Sequence, residues 1–303
     1  MSESGMDRDP ETASPGEALA ELARQQLQGW RIPEGIPMTP DTAILPLRPD
    51  PEMVRTASRV LHTLLVRTCP DTLFLLGTRR GDSSDDTPDE HLVTVGAAGS
   101  FPTPLGAVSI DAKRAPRLGR ILGDRAVLVG VEGLDPLEGE SGLETIPILL
   151  QVLAPGCRVL PILLPSDCPP ALALEVGQAI VDEFGDDNIS LAAPLELSRA
   201  VAAEKERARE QLRVQDAEWL RPILGLDLEG CLDRIGKTAG DEATGALEQP
   251  AVLLAALAHA HGRGAALGHL IEYVRTAEGP SPGAGSSETR SPEIWNGRAG
   301  VIF

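Results

Sequence analysis

Two glutamates, Glu140 and Glu144, have a type and a spacing that could support chemistry. They lie four residues apart in the stretch ESGLETIPILLQVL, and this spacing puts both carboxylates on one face of a helix. The apolar residues of the stretch recur with helical spacing and line one stripe: Leu143, Ile146, Leu150 and Leu153. Two carboxylates on one face serve as acid/base groups, as metal ligands or as a solvated surface, and the spacing alone favours the solvated surface.

The adjacent arginines Arg79 and Arg80 are a second candidate. They occur in the segment GTRRG, directly after a predicted strand. A guanidinium group has five donors and favours carboxylates and phosphates, so Arg80 in a pocket would suit a small anionic ligand. The alternative is that both arginines pair with the acidic loop GDSSDDTPDE that follows them. The adjacency of that loop favours ion pairing over a binding site.

The histidines and cysteines do not predict a metal site. The histidines are dispersed along the chain: His62, His91, His259, His261 and His269. None lies at the carboxyl end of a predicted strand, and the dipole at a helix end accounts for His259 and His261. The cysteines lack C-x-x-C spacing and are expected to be free, buried thiols: Cys69, Cys157, Cys168 and Cys231. We therefore expect no bound transition metal and no other cofactor.

The overall composition argues against two classes of partner. The formal net charge is -18, with acidic residues spread along the chain, and this repels nucleic acid and anionic membranes. Aromatic residues make up 3% of the chain, too few for base-stacking platforms. The sequence has no apolar run of about 18 residues, and its acidic start lacks the pattern of a signal peptide, so a cytoplasmic location is expected. Glycine-rich nucleotide motifs and the G-x-S-x-G elbow are also absent from the sequence.

Strand and helix patterns alternate along the chain, which predicts an α/β fold. The predicted strands are AILPL, DTLFLLG, HLVTVGA, LGAVSID, CRVLPILL, NISLAA, AALGHLIEYV and GRAGVIF. The predicted helices are GEALAELARQQLQGW, DPEMVRTASRVLHTLLVR, AKRAPRLGRIL, ESGLETIPILLQVL, PPALALEVGQAIVDEFG, PLELSRAVAAEKERAREQLRVQDAEWLRPILG, LDLEGCLDRIG and QPAVLLAALAHAHG. Asp50 is predicted to cap the second helix with Pro51 in its first turn, and Pro116 to break or kink the third. The segment EKERARE indicates a solvated face or a projecting helix.

One domain is predicted for most of the chain. Residues 1–15 have the composition of a disordered tail, and residues 16–42 have that of a helix and a connector. No linker or internal repeat interrupts residues 43–275, so residues 43–303 are predicted to form a single α/β domain. Residues 278–291, which are rich in Gly, Ser and Pro, are predicted to form a flexible surface loop within it.

Several strings of the sequence, in matching order, resemble the Memo-like family, the B component of the AmmeMemoRadiSam set. TPLGAVSID resembles the family's T-P-L-G-x-x-x-x-D segment, and ESGLETIPILLQ resembles its E-H-S-L-E-x-Q-L-P-F-L-Q helix. FLLGTRR, VLPILL, QPAVLLAAL, IEYV and AGVIF are similar to further strings of the family. The resemblance spans about residues 43–303 and implies a three-layer α/β sandwich similar to the class III extradiol dioxygenases.

The resemblance does not extend to the metal pocket of the family. That pocket is built at the strand ends from histidines and a cysteine, and an acid and a histidine of a later strand fall on Pro194 and Leu197 here. The substituted positions form a candidate vestigial pocket and are expected to cluster in space: Leu47, Arg80, Ser141, Leu197 and Ala246. Glu140 and Glu144 match the two glutamates of the family and are expected to cap, to pair or to be solvated.

These substitutions in a Memo-like chain predict a non-catalytic protein, a scaffold or partner-binding pseudoenzyme. Two alternatives stay open: a metal-dependent oxidoreductase of the extradiol-dioxygenase-like class, and an anion-binding sensor that uses Arg80. The expected partners are a protein or a small anionic ligand, and the oligomeric state is not predicted. An enzyme would have converging His, Cys and Asp side chains, whereas a scaffold would have an apolar or arginine-lined pocket.

Overall fold

The computed structural model describes residues 14–47, 50–79, 92–134, 143–202, 205–238, 246–277 and 293–303. The predicted tail at 1–13 and the predicted loop at 278–291 lie outside these ranges. The strands are β1 (Thr42–Leu45), β2 (Thr72–Arg79), β3 (Val93–Ala98), β4 (Ser100–Thr103), β5 (Gly106–Ser109), β6 (Ala126–Gly130), β7 (Arg158–Pro165), β8 (Ile189–Pro194), β9 (Ser198–Ala202), β10 (His269–Ala277) and β11 (Glu293–Ile302).

Nine of these strands form one mixed sheet with a parallel centre. Its order is β10-β11-β1-β8-β2-β7-β3-β6, and β9 pairs with β11 beside this path. The four central strands β1, β8, β2 and β7 are parallel, whereas β11 and β3 pair antiparallel on the two sides. We call the edge where the four parallel strands end the carboxyl edge, and the edge where they begin the amino edge. β4 and β5 form a separate two-stranded sheet.

Helices cover both faces of the sheet and produce three layers. The helices are α1 (Pro15–Leu27), α2 (Pro51–Thr68), α3 (Ala115–Leu122), α4 (Thr145–Leu153), α5 (Pro170–Phe184), α6 (Lys205–Leu224), α7 (Leu228–Thr238) and α8 (Pro250–Gly262). One core lies between the sheet and α1, α2 and α4, and the other lies between the sheet and the remaining helices. This architecture is the three-layer α/β sandwich that the sequence predicts. In the described part of the chain, no helix combines the length and apolarity needed to cross a bilayer.

Helix α2 begins where the sequence predicts. The Asp50 side chain accepts hydrogen bonds from the backbone N–H groups of Glu52 and Met53. Pro51 occupies the first helical position, where no N–H donor is needed. The predicted break or kink at Pro116 is wrong, because α3 begins one residue before this proline and the first turn of a helix tolerates it.

Two other helices begin later or earlier than the sequence predicts. α1 begins at Pro15, where Ser14 and Glu17 form a capping box, so the predicted tail extends one or two residues too far. Glu144 is the N-cap residue of α4 and therefore precedes the helix. The prediction that Glu140 and Glu144 share a helix face is not supported, since the helix starts after Glu144 and Glu140 lies outside the described residues.

The longest predicted helix is in fact two elements. Residues 198–202 form β9, and α6 begins only at Lys205. Pairing with the distant strand β11 overrides the local helical pattern. α6 packs onto the body rather than projecting from it, since Ala208, Leu212 and Trp219 are fully buried, and its charged pairs are exposed. The sequence also misses β4 and β6, whose runs are only four and five residues long.

Candidate functional site at the carboxyl edge

The chain connections diverge between β1 and β8 at the carboxyl edge. β1 continues into α2 on one face of the sheet, and β8 continues through β9 into α6 on the other face. In open α/β sheets, ligands bind at such a switch point. The backbone N–H of Leu195 donates to the carbonyl of Leu45 at 2.9 Å, so the two strands stay joined up to the divergence. The side chains at this point define the candidate site.

A buried arginine occupies the candidate site. Arg298 of β11 is 3% exposed, and its Nε donates to Oε2 of Glu196, which is 2% exposed, at 2.9 Å. A terminal nitrogen of Arg298 also donates to Oδ2 of Asp50, whose Oδ1 caps α2. Oε1 of Glu196 accepts a hydrogen bond from the backbone N–H of Leu47 at 3.3 Å. One guanidinium thus joins the ends of β1 and β8 to β11 and to the start of α2.

Arg298 and Glu196 of this cluster are paired away from water, whereas the Asp50 side chain is 35% exposed. Removing ions from water costs several kcal/mol each, and pairing offsets the cost only where further hydrogen bonds satisfy the groups. Glu196 and Asp50 both accept such additional bonds from backbone N–H groups. A metal cation approaching this point would meet a guanidinium that is always protonated and already bound. The two carboxylates are therefore arranged to bind the Arg298 guanidinium rather than a metal cation.

Two of the predicted pocket positions lie at this site. Leu47 and Leu197 are each 1% exposed and flank Glu196, Leu47 through its backbone hydrogen bond and Leu197 as the next residue in the chain. Ala246 is half-buried and precedes Leu247, which packs in the same core as Leu197. That these three apolar residues correspond to metal-ligand positions rests on the sequence resemblance and stays a prediction.

The other predicted site residues are placed less completely. Those that lie outside the described residues are Arg80, Ser141 and Glu140. The clustering of all five pocket positions, and anion binding by Arg80, stay predictions. Arg79 is half-buried at the end of β2, and its Nη1 donates to the Thr94 hydroxyl at 3.3 Å. Glu144 is exposed, in agreement with the expected solvated surface.

A second buried acid, Asp216 of α6, contacts β9 and β11 near the site. Its carboxylate accepts hydrogen bonds from the hydroxyl of Ser198 and, at 2.6 Å, from the hydroxyl of Tyr273. Burial raises the pKa of Asp216 to about 6, against the effect of these two hydrogen bonds. Burial and the neighbouring carboxylate raise the pKa of Tyr273. A Cβ atom at Gly297 would overlap the Asp216 carboxylate, so this close approach requires glycine.

The acid of the TPLGAVSID segment lies at the amino edge, at the other end of the strands. Asp111 is buried and accepts hydrogen bonds from the Thr72 hydroxyl at 2.6 Å and from Arg114 Nη1 at 2.7 Å. Burial opposes ionisation, but these hydrogen bonds outweigh it and lower the pKa of Asp111 to about 2. Nε of Arg158 lies 3.4 Å from the same carboxylate. Asp111 thus ties together the starts of β2, α3 and β7.

The histidines that the structure describes belong to no candidate metal-binding group. His259 is fully buried in α8 with Nδ1 2.7 Å from the Thr42 hydroxyl oxygen, and burial lowers the pKa of His259 to about 3. Its prediction as a dipole-stabilised imidazole is wrong, because a neutral ring gains little from the helix dipole. His91 lies outside the described residues. Within the ranges that the structure describes, no group of three or more His, Cys, Asp and Glu side chains is placed to hold a metal ion.

The four cysteines are free thiols, but they are not all buried. Burial raises the pKa of Cys157 and of Cys168 to about 11 and that of Cys231 to about 12, so these thiols stay protonated and unreactive. Cys69 is exposed and Cys157 and Cys168 are half-buried, so the prediction of buried thiols is confirmed for Cys231 and wrong for Cys69. It ends α2 in the left-handed conformation, with φ of 45°, at a turn on the surface.

The sequence reasoning missed Glu196 and Arg298. A signal was present, because Glu196 interrupts the apolar run AAPLEL and Arg298 interrupts the closing strand GRAGVIF. A charged residue within a buried strand or at its end needs a partner. The partner could not be named, since 102 positions separate the two residues and only the fold brings them together.

No family model and no curated protein matches this chain. A solved structure, the crystal structure of the uncharacterized protein JW3007 from Escherichia coli K12, is 16% identical over 76% of this chain and 86% of that chain, with a TM-score of 0.38. At this level the likeness defines neither a family nor an activity.

Proposed function

We propose that this chain is a non-catalytic, Memo-like protein that acts by binding a protein partner. The observation that carries the proposal is the Arg298 guanidinium bound between Glu196 and Asp50 at the carboxyl edge. A metal-dependent enzyme needs converging ligands with a vacant coordination position. At this switch point, a cation that belongs to the chain itself takes the place between the carboxylates.

The apolar neighbours of this cluster support the same function. Leu47 and Leu197 are buried where the resembled family has histidines, and neither side chain can donate an electron pair to a metal. The carboxylates that remain, Glu196 and Asp50, are hard oxygen donors that suit Mg²⁺ or Ca²⁺ better than iron or copper. Redox chemistry of the extradiol-dioxygenase-like class has few supporting side chains at this position.

Opening the cluster for catalysis would also be costly. Removing Arg298 from Glu196 leaves a carboxylate buried without its charge partner, a change that typically costs about 3–5 kcal/mol. A substrate or metal would have to offset this cost before any chemistry began. The cluster therefore favours a structural role for this site, and we expect partner binding to occur on the surface of the protein.

The charge of the surface indicates the kind of partner. The chain has a net charge of -18, and such a charge steers association towards basic surfaces. Salt screens this attraction and so weakens it. We therefore expect a partner protein with a basic face. The exposed acidic and basic pairs along α6 are one place where the charged surface is ordered.

Reconstitution from purified components tests this function. Candidate partners are first captured with the tagged full chain, and each is then purified and titrated against the chain by calorimetry. We expect one saturable complex whose affinity falls steeply as salt is raised. A parallel assay follows oxygen consumption by the chain incubated with Fe(II) and catechol, with Fe(II) and catechol alone as the blank. The proposal fails if no captured protein rebinds after purification, or if the chain consumes oxygen and loses this activity on Glu196→Gln.

A further inference from the structure

A pocket of about 400 Å³ lies near the amino edge, on the side of the sheet that α1 and α4 cover. We call it the basic pocket. Its walls come from α1, β5, the end of α4 and the turn that leads into β7: Arg24, Leu105, Ala107, Val108, Ser109, Gln151, Ala154, Pro155, Gly156, Cys157 and Arg158. It belongs to neither the Arg298 cluster nor the carboxyl edge, because β7 begins at the opposite end of the parallel strands.

Four donor side chains from four different segments line this pocket. The terminal nitrogens of Arg158 and the hydroxyl of Ser109 make no hydrogen bond within the described residues. Gln151 accepts from the Thr103 hydroxyl through Oε1, which leaves its Nε2 as a donor. Arg24 makes only one ion pair among the described residues, with Glu21 at 3.2 Å, and both side chains are more than half exposed. Exposed pairs of this kind contribute little, so Arg24 can exchange its partner at small cost.

The lining of the basic pocket contains no carboxylate, although the whole chain has a net charge of -18. Three acids lie close behind the lining: Glu21 pairs with Arg24 at 3.2 Å, the charge of Asp71 acts on Cys157, and the buried Asp111 is bound by Thr72 and Arg114. Nε of Arg158 faces this acid, and the side chain is 40% exposed. Two guanidinium groups and two neutral donors thus line the space, and the acids that contact the two arginines lie outside the lining.

We propose that the basic pocket binds a small phosphate monoester. A phosphate accepts hydrogen bonds on three oxygens in different directions, which matches donors that arrive from four segments, whereas a carboxylate accepts in one plane. Its negative charge at neutral pH is close in magnitude to the positive charge of two guanidinium groups. The pocket volume exceeds that of the phosphate group, and Leu105, Val108 and Pro155 offer an apolar wall for the organic part.

Calorimetric titration of the full chain with glycerol 3-phosphate, inorganic phosphate, glycerol and succinate tests the proposal. We expect one saturable site for glycerol 3-phosphate, weaker binding of inorganic phosphate, and no binding of glycerol. Succinate should bind at least about tenfold more weakly, since it lacks the tetrahedral oxygens. Arg24→Met and Arg158→Met should each weaken glycerol 3-phosphate binding by about tenfold, the effect of losing one charge-assisted hydrogen bond.

Arg120→Met is the matched control, because Arg120 is an exposed arginine on α3 that does not line the pocket. This variant should bind glycerol 3-phosphate as the unchanged chain does. Arg24 and Ser109 are exposed, so Arg24→Met and Ser109→Ala test the site even if Arg158→Met fails to fold. The proposal is overturned if glycerol 3-phosphate shows no saturable binding, if succinate binds as tightly, or if Arg120→Met weakens binding as much as Arg24→Met does.

Discussion

At the carboxyl edge, the Arg298 guanidinium is buried between two carboxylates, whereas at the amino edge the Arg158 guanidinium opens into a pocket. Arg298 is 3% exposed and its charge partners are fixed by the backbone around them. Arg158 approaches Asp111 with one nitrogen and leaves its other donors unused within the described residues. The comparison teaches that a fully paired buried charge specifies the structure, while a half-open one is available to a ligand.

The largest expected effect is the loss of Arg298. Arg298→Met leaves Glu196 buried without its charge partner and should lower the free energy of unfolding by about 3–5 kcal/mol. The double substitution Arg298→Met with Glu196→Gln should recover part of this loss, because the uncompensated charge is then absent. Urea unfolding measures both values, with Arg120→Met as the exposed control. A loss below about 1 kcal/mol for Arg298→Met would mean that the cluster is not tightly paired.

Asp216 is a buried acid without a salt bridge among the described residues, and its contribution to stability should fall as the pH rises. Burial raises the pKa of Asp216 from its ordinary 3.8 to about 6, so its folded form holds a proton more tightly than the unfolded chain. Its contribution to stability is therefore full below pH 3.8 and is lost as the pH rises through 6. Relative to the unchanged chain, Asp216→Asn should gain about 2 kcal/mol of stability between pH 4 and pH 7.

The control for this prediction is Asp124→Asn, which changes an exposed carboxylate. Thermal or urea unfolding at several pH values gives the difference between each variant and the unchanged chain. Asp124→Asn should show a flat difference over the same range. If Asp216→Asn is equally flat, then the Ser198 and Tyr273 hydroxyls hold Asp216 ionised, and the effect of burial is smaller than we infer.

Asp111 should show the reverse dependence on pH with a smaller size. Its pKa is lowered from 3.8 to about 2, so its contribution is present above pH 3.8 and is lost as the pH falls through 2. Asp111→Asn should lower the free energy of unfolding by about 2 kcal/mol at neutral pH, and the difference from the unchanged chain should shrink in acid. Asp186→Asn, at an exposed aspartate, serves as the control. A difference that stays constant down to pH 2 would contradict this account.

Most elements of the fold could be predicted from local patterns in the sequence. The cap at Asp50, the apolar strand of β7 and the helix α5 depend on neighbouring residues, and their positions agree with the sequence prediction. β9 could not be predicted in this way, because it forms a strand through its pairing with β11. The same limit applies to the short edge strand β6, which pairs with β3. Errors occur where contacts between distant parts of the chain decide the outcome.

The candidate site could be predicted from the sequence only in part. The resemblance directed attention to Leu47 and Leu197, and the structure places both beside Glu196. It gave no indication of Arg298, because a new ion pair between distant residues leaves no local pattern. Conversely, the sequence analysis offered Arg80 as an anion-binding arginine, and this residue lies outside the described residues. A sequence resemblance suggests which positions to compare, and only the fold shows which distant side chains pair there.

Metal loading tests most directly whether Arg298 excludes a metal from the carboxyl edge. The full chain is incubated anaerobically with Fe(II), and separately with Cu(II) and Zn(II), then desalted and subjected to elemental analysis. We expect well under one metal per chain in each case, and the same low content in Glu196→Gln, since the Arg298 guanidinium occupies the position between Glu196 and Asp50. One metal per chain that is lost in Glu196→Gln would contradict the account and would favour a metal-dependent oxidoreductase.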